Sequence, residues 1–181
     1  MMNEILRFWF EDIDREAWFK KEPAFDQEIR DRFRHAYDTA AGGEYMHWNA
    51  TPRGALALIV LLDQFPRNMF RQSPKAYATD PMARAIARHV LDQRHDRAPG
   101  MTEDHCLTFY LPFEHSEDLE DQRLYMRLIV ALTDAERPIF FARRHKEIIE
   151  RFGRFPHRNV ILGRTSSAEE ITFLKEPHSS F

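Results

Sequence analysis

The scarcity of β-forming residues constrains this chain more than any other feature. Valine occurs only at Val60, Val90, Val130 and Val160, and no stretch alternates apolar with polar residues between hairpin turns. Apolar side chains recur instead every three or four positions, which predicts an all-α fold. Phe25, Ile29, Phe33, Tyr37 and Ala40 follow Pro23 at that spacing, and Gly42 and Gly43 end the run. An amphipathic helix of about five turns is expected there. Thr51 can cap the next helix, with Pro52 in a first turn where a missing amide donor costs nothing. The ALALIVLL run from Ala55 to Leu62 then leaves almost no polar face, so this helix is expected to lie centrally.

Further helices follow from the same logic. Asp80 before Pro81 is read as a cap, with Met82, Ala85, Ile86, His89 and Val90 as the apolar stripe. Ser116 is read as the cap of a helix that starts at Glu117 and runs to Arg137, acidic first and basic last, as a helix dipole favours. Pro138 opens another helix, from Ile139 to Phe152, closed by Gly153. Ser166 and Glu169 have capping-box spacing before a short last helix. His89 and His145 lie on apolar stripes and read as buried structural histidines, and Cys106 as core packing. Antiparallel helices joined by short turns form a bundle or a stack of helical hairpins, within one domain over residues 1–181.

Composition excludes several classes of function. The 43% hydrophobic and 30% charged residues describe a globular chain, and no apolar run approaches the roughly 20 residues a membrane helix needs. One cysteine among 181 residues rules out an internal disulfide and multi-cysteine zinc sites. The start MMNEILRFWFED has no basic end followed by an apolar stretch, so no signal peptide is expected and the cytoplasm is the expected compartment. The net charge of −3 gives no general attraction to nucleic acid or to an anionic membrane. There is no HExxH helix, no paired Glu-x-x-His motif and no phosphate-binding glycine loop, so neither a metal nor a cofactor is expected.

Polar residues collect at three aromatic-proline breaks. These are Phe65-Pro66-Arg67-Asn68, Leu111-Pro112-Phe113-Glu114-His115-Ser116 and Phe155-Pro156-His157-Arg158-Asn159. Proline in a helix costs about 3 kcal/mol and pushes the preceding residue out of the helical region, so each break is expected to end or bend a helix. From Glu103 to Asp121 the chain carries seven acids and no Lys or Arg, while from Arg143 to Arg164 seven bases face two acids. The two blocks should attract one another.

If the breaks converge, Arg67, Asn68, Glu114, Arg154, Arg158 and Asn159 line a pocket for an anionic small molecule or a carboxylate-bearing peptide, in keeping with a preference for arginine over lysine of 21 to 5. Two alternatives stay open. A hydrolase or transferase would use His115 or His157 as acid or base beside Asp63 or Glu117, with arginines clamping the substrate. A scaffold would spend the same residues on ion pairs and bind through exposed aromatics. The oligomeric state is not fixed by these features.

Three blocks also carry a resemblance. LLDQFPRNMFR (61–71), YLPFEHSEDLEDQ (110–122) and RFGRFPHRNVILGRTSSAEEITFL (151–174), together with the opening FWF and the pair Trp18-Phe19, resemble the signature blocks of the bacterial DUF924 family, whose function is unknown. The resemblance spans nearly the whole chain. It implies stacked helices similar to the tetratricopeptide-like superfamily and implies no catalytic residues.

Overall fold

The computed structural model describes residues 1–181 apart from the side chain of Phe19, so that member of the Trp18-Phe19 pair lies outside the described residues. Its helices are α1 (Met2–Arg7), α2 (Pro23–Ala41), α3 (Pro52–Ile59), α4 (Phe65–Met69), α5 (Asp80–Asp92), α6 (Glu103–Glu114), α7 (Leu119–Leu132), α8 (Glu136–Phe152) and α9 (Ala168–Phe173). Short 3-10 and π turns join them, and no strand occurs among the described residues. The fold is all-α, as the periodicity predicts.

The chain forms two compact units: residues 1–71 with 75–112, and residues 72–74 with 113–181. In the first, α2 begins at Pro23 and stops at Gly42 as read from sequence. Thr51 Oγ1 accepts the Gly54 N–H at 3.1 Å, which is the expected cap of α3. A methyl group on Gly54 would meet the Trp48 carbonyl oxygen at 2.0 Å, so only glycine fits that turn. The ALALIVLL run is fully buried. Phe8, Phe33 and Phe65 pack ring against ring beside it, and Trp9 stacks on Trp18 at 5.3 Å.

Pro66 does not break its helix. Phe65 keeps helical angles (φ −59°, ψ −38°), and the chain instead widens into one π turn over Val60–Gln64, with the Phe65 N–H reaching back five residues to the Val60 carbonyl. Proline cannot donate to the carbonyl four residues back, that of Leu62, and the Thr79 hydroxyl takes its place at 2.6 Å. The strain expected at the proline is thus relieved by a side chain from outside the helix. Thr79→Val keeps the shape and removes the donor. It should cost about 1–3 kcal/mol in urea unfolding, the penalty for orphaning a buried carbonyl; an unchanged midpoint would contradict this assignment.

Other boundaries shift. Pro112 lies inside α6, which runs on to Glu114. Asp80 is the first residue of α5 and not its cap, because its carboxylate is engaged by Arg67. The expected helix from Glu117 to Arg137 is two elements: α7 starts after Asp118, whose side chain accepts the Glu120 N–H, and ends at Leu132. Arg137 therefore opens α8 and does not complement the end of α7. Pro138 also falls in that first turn, where its missing N–H is harmless. The capping box is Ser167 with Glu170, one residue beyond the expected pair, since Ser166-Ser167 and Glu169-Glu170 present the same spacing twice.

In the second unit α7 packs on α8, and Ile148, Ile149, Phe155 and Phe173 form the apolar core, with Leu119 and Phe152 packed against it. Gly153 closes α8 in the left-handed region (φ 66°), the expected stop. Among the described residues no helix is long and apolar enough to cross a membrane.

Candidate functional site

The first break belongs to the first unit, where its polar groups are tied to one another. Asp63 has no exposed surface; it receives the Gln64 amide and lies 3.4 Å from the Arg67 guanidinium. Arg67 also forks onto both oxygens of Asp80 at 3.0 and 3.1 Å and donates to the Asp63 carbonyl. Burial pulls the Arg67 pKa down, but the two carboxylates outweigh it and hold the guanidinium charged. Asn68 donates to Asp26 at 2.9 Å, and Arg71 donates to both oxygens of the same carboxylate. One arginine between two carboxylates carries no surplus positive charge, so this lattice is built for cohesion.

The second and third breaks meet within the second unit. Glu117 accepts the Phe155 backbone N–H at 2.8 Å and a two-pronged pair from Arg164 at 2.7 and 2.9 Å. Burial alone would raise the pKa of its carboxyl, yet these donors hold it below the ordinary value. Arg158 donates to the His115 carbonyl at 3.0 Å and lies over the Phe155 ring at 4.5 Å. Gln122, wholly buried, gives its amide to the carbonyls of Phe113, Glu114 and Ser116 and so fixes the turn carrying His115. Ser116 does not cap α7; its hydroxyl donates to Asp121 at 2.7 Å and accepts the Asp118 N–H. Phe155 takes the extended conformation expected before Pro156.

Arg154 and Asn159 face the start of α9. Arg154 forks onto Glu170 at 2.7 and 2.8 Å, and this contact above all draws the Glu170 carboxyl down to about 2. Asn159, fully buried, donates to the Ser166 hydroxyl at 3.1 Å. Both residues therefore pin the loop 154–167. The basic block finds partners in two directions: Arg164 reaches Glu117 in the acidic block, whereas Arg151 and Arg154 take Glu169 and Glu170.

Glu114 leads to residues that sequence reasoning passed over. Its carboxylate accepts a hydrogen bond from Tyr125, a fully buried phenol that burial and the nearby charge keep well above its ordinary pKa. It also lies 3.4 Å from Nδ1 of His145. That nitrogen is 2.9 Å from the Phe141 carbonyl, which as an acceptor selects the tautomer with the proton on Nδ1 and leaves Nε2 as a lone pair. His145 is 6% exposed. Burial drives its pKa from 6.5 down to about 3, with His115, Arg158 and His157 adding repulsion. The His157 ring sits 5.6 Å from that of Phe155.

His115, His145, His157, Arg158, Glu114 and Tyr125 thus gather from α6, α7, α8 and the turn after α8. The reading of His145 as a buried histidine holds, but its company has no local signal: Glu114 and His145 are 31 positions apart, and Tyr125 reads as one apolar step of α7. Among the described residues no group of three or more His, Cys, Asp or Glu side chains is placed to hold a metal.

The fold and the site define an all-helical protein with a histidine-rich polar cluster set in its second unit. The chain belongs to the DUF924 family of bacterial proteins of unknown function, which it matches over residues 5–178. It is similar to the solved structure of the protein of unknown function ATU0120 from Agrobacterium tumefaciens, with 42% sequence identity, 96% of each chain covered and a TM-score of 0.90. No curated protein matches it.

Proposed function

We propose that the second unit binds a small anionic ligand, a carboxylate- or phosphate-bearing molecule or the carboxylate of a peptide, at the cluster of His115, His157 and Arg158 around His145. The observation that carries this reading is the convergence of donor side chains: the Arg158 guanidinium holds the turn carrying His115 at 3.0 Å and lies over the Phe155 ring, beside which the His157 ring stands. Glu114, 3.4 Å from His145, makes the cluster mixed in charge, and Arg158 supplies the fixed positive charge that favours an anion entering beside it. Glu117 and Glu170 neutralise Arg164 and Arg154, so those two arginines serve the loops and not the ligand. The lattice of Asp63, Arg67, Asn68 and Asp80 serves as scaffold in the first unit.

The contact between Glu114 and His145 favours a second reading, in which the carboxylate orients the imidazole as a general base. A base works best with a pKa near the operating pH, and burial holds this one far lower. The neutral imidazole therefore favours binding over catalysis, with the Nδ1 proton of His145 held by the Phe141 carbonyl and its ring forming a wall of the site.

Titrating the protein with acetate and with inorganic phosphate, while following the histidine ring signals by NMR, tests this. The signals of His115 and His157 should move saturably. His157→Gln combined with Arg158→Lys should weaken binding about tenfold or more, equal to about 1.4 kcal/mol, with cooperative melting retained. Shifts that never saturate, or equal affinity in the double variant, would overturn the proposal.

A further inference from the structure

The segment from Pro177 to Phe181 lies against this same cluster. The Phe181 ring stacks on the His145 imidazole, with centroids 3.8 Å apart and planes 26° from parallel. It meets the edges of His157 at 5.7 Å and of Phe141 at 6.1 Å. Three aromatic side chains therefore form a slot, and Phe181 fills it. Phe181 as a whole residue is nevertheless 37% exposed, so it covers His145 from the outside and is not itself core.

The backbone of the segment is lightly held. Arg144 donates to the carbonyls of His178 at 3.1 Å and Pro177 at 3.5 Å, and the Ser179 hydroxyl donates to Leu174 at 3.1 Å. His178 sits in the left-handed region at φ 54°, a conformation that side-chain-bearing residues adopt at a cost. That turn directs the chain back toward His145. A strained turn, few backbone bonds and a partly exposed residue mark an occupant that can be displaced.

We propose that the anionic ligand carries an aromatic ring, that this ring takes the slot filled by Phe181, and that Pro177–Phe181 is the built-in competitor for it. The proposal rests on the anion-binding reading above and adds the ligand class. An aryl carboxylate fits both halves of the site: its ring stacks on the neutral imidazole face, and its carboxylate lies toward His157 and Arg158. A peptide with a phenylalanine near its end presents the same pair of groups.

The test compares benzoate with acetate, by NMR titration or calorimetry, on the wild-type protein and on Phe181→Ala, with circular dichroism confirming that the variant keeps its helices. Phe181→Ala opens the slot, so benzoate should bind at least about tenfold more tightly than to wild type, while acetate, which has no ring, should bind both alike. Arg144→Ala, which loosens the segment and leaves the slot intact, should give a smaller gain in the same direction. If acetate and phosphate bind but Phe181→Ala gains nothing for benzoate, the aromatic slot is wrong and the anion site stands. If none of the three anions binds to either protein, the anion site fails and this inference with it.

Discussion

Replacing Asp63 with alanine should cost about 3–5 kcal/mol of stability, the penalty for removing one partner of a buried ion pair. The carboxylate has no exposed surface, receives Gln64 and faces Arg67. Its loss leaves Arg67 with a single carboxylate and strips the Gln64 amide of an acceptor beside the π turn that accommodates Pro66. For a chain of this length each kcal/mol lowers Tm by about 2–4 °C, so a drop of roughly 10 °C is expected. Glu120→Ala is the control, because its bond to Arg123 is exposed and such pairs contribute about 0–1 kcal/mol. Equal effects of the two substitutions would show that the first-break lattice is not the clamp described.

Acid should destabilise the protein well before its carboxylates titrate. His145 takes up a proton only near pH 3 when folded, but near 6.5 when unfolded. Above 6.5 both states are neutral and the group contributes nothing. Below it the unfolded state binds the extra proton, so stability falls by about 1.4 kcal/mol per pH unit, approaching about 5 kcal/mol by pH 3. Glu170, drawn down to about 2, is the opposite kind of group: its contribution is present above its ordinary value of 4.5 and is lost as pH falls from there toward 2. The window from pH 6.5 to 5 lies above the carboxylates, and there His145 acts together with His105, whose pKa burial also lowers, so the comparison with a His145 variant separates the two. Urea unfolding across that window should give a steep loss for the wild type and a flatter one for His145→Asn. Parallel curves would mean that His145 is not held neutral by its surroundings.

These two sites differ in how far the sequence exposed them. Helix boundaries governed by adjacent residues were legible, as the Thr51-Pro52 start and the Gly153 stop demonstrate. Where the deciding partner lies elsewhere, local rules failed. Pro66 reads as a break because the donor that compensates it, Thr79, is 13 residues away, and Asp80 reads as a cap because Arg67 is not visible from its neighbourhood. The adjacent repeats in SSAEE left the capping box ambiguous by one residue, which packing resolved in favour of Glu170. The polar residues of the three breaks stand out in the sequence, while the grouping of Glu114, Tyr125 and His145 depends on three separate helices and left no periodic trace. Charge blocks predicted attraction but not pairing: the basic stretch divides its arginines between Glu117 and the start of α9.

Sulfate affinity of the wild type and of the His157→Gln/Arg158→Lys double variant, measured at one pH and one ionic strength, tests the anion site most directly. The wild type should bind sulfate saturably and the double variant about tenfold or more weakly, with cooperative melting retained. Sulfate that does not bind the wild type, or binds both proteins equally, would contradict an anion site built on His115, His157 and Arg158.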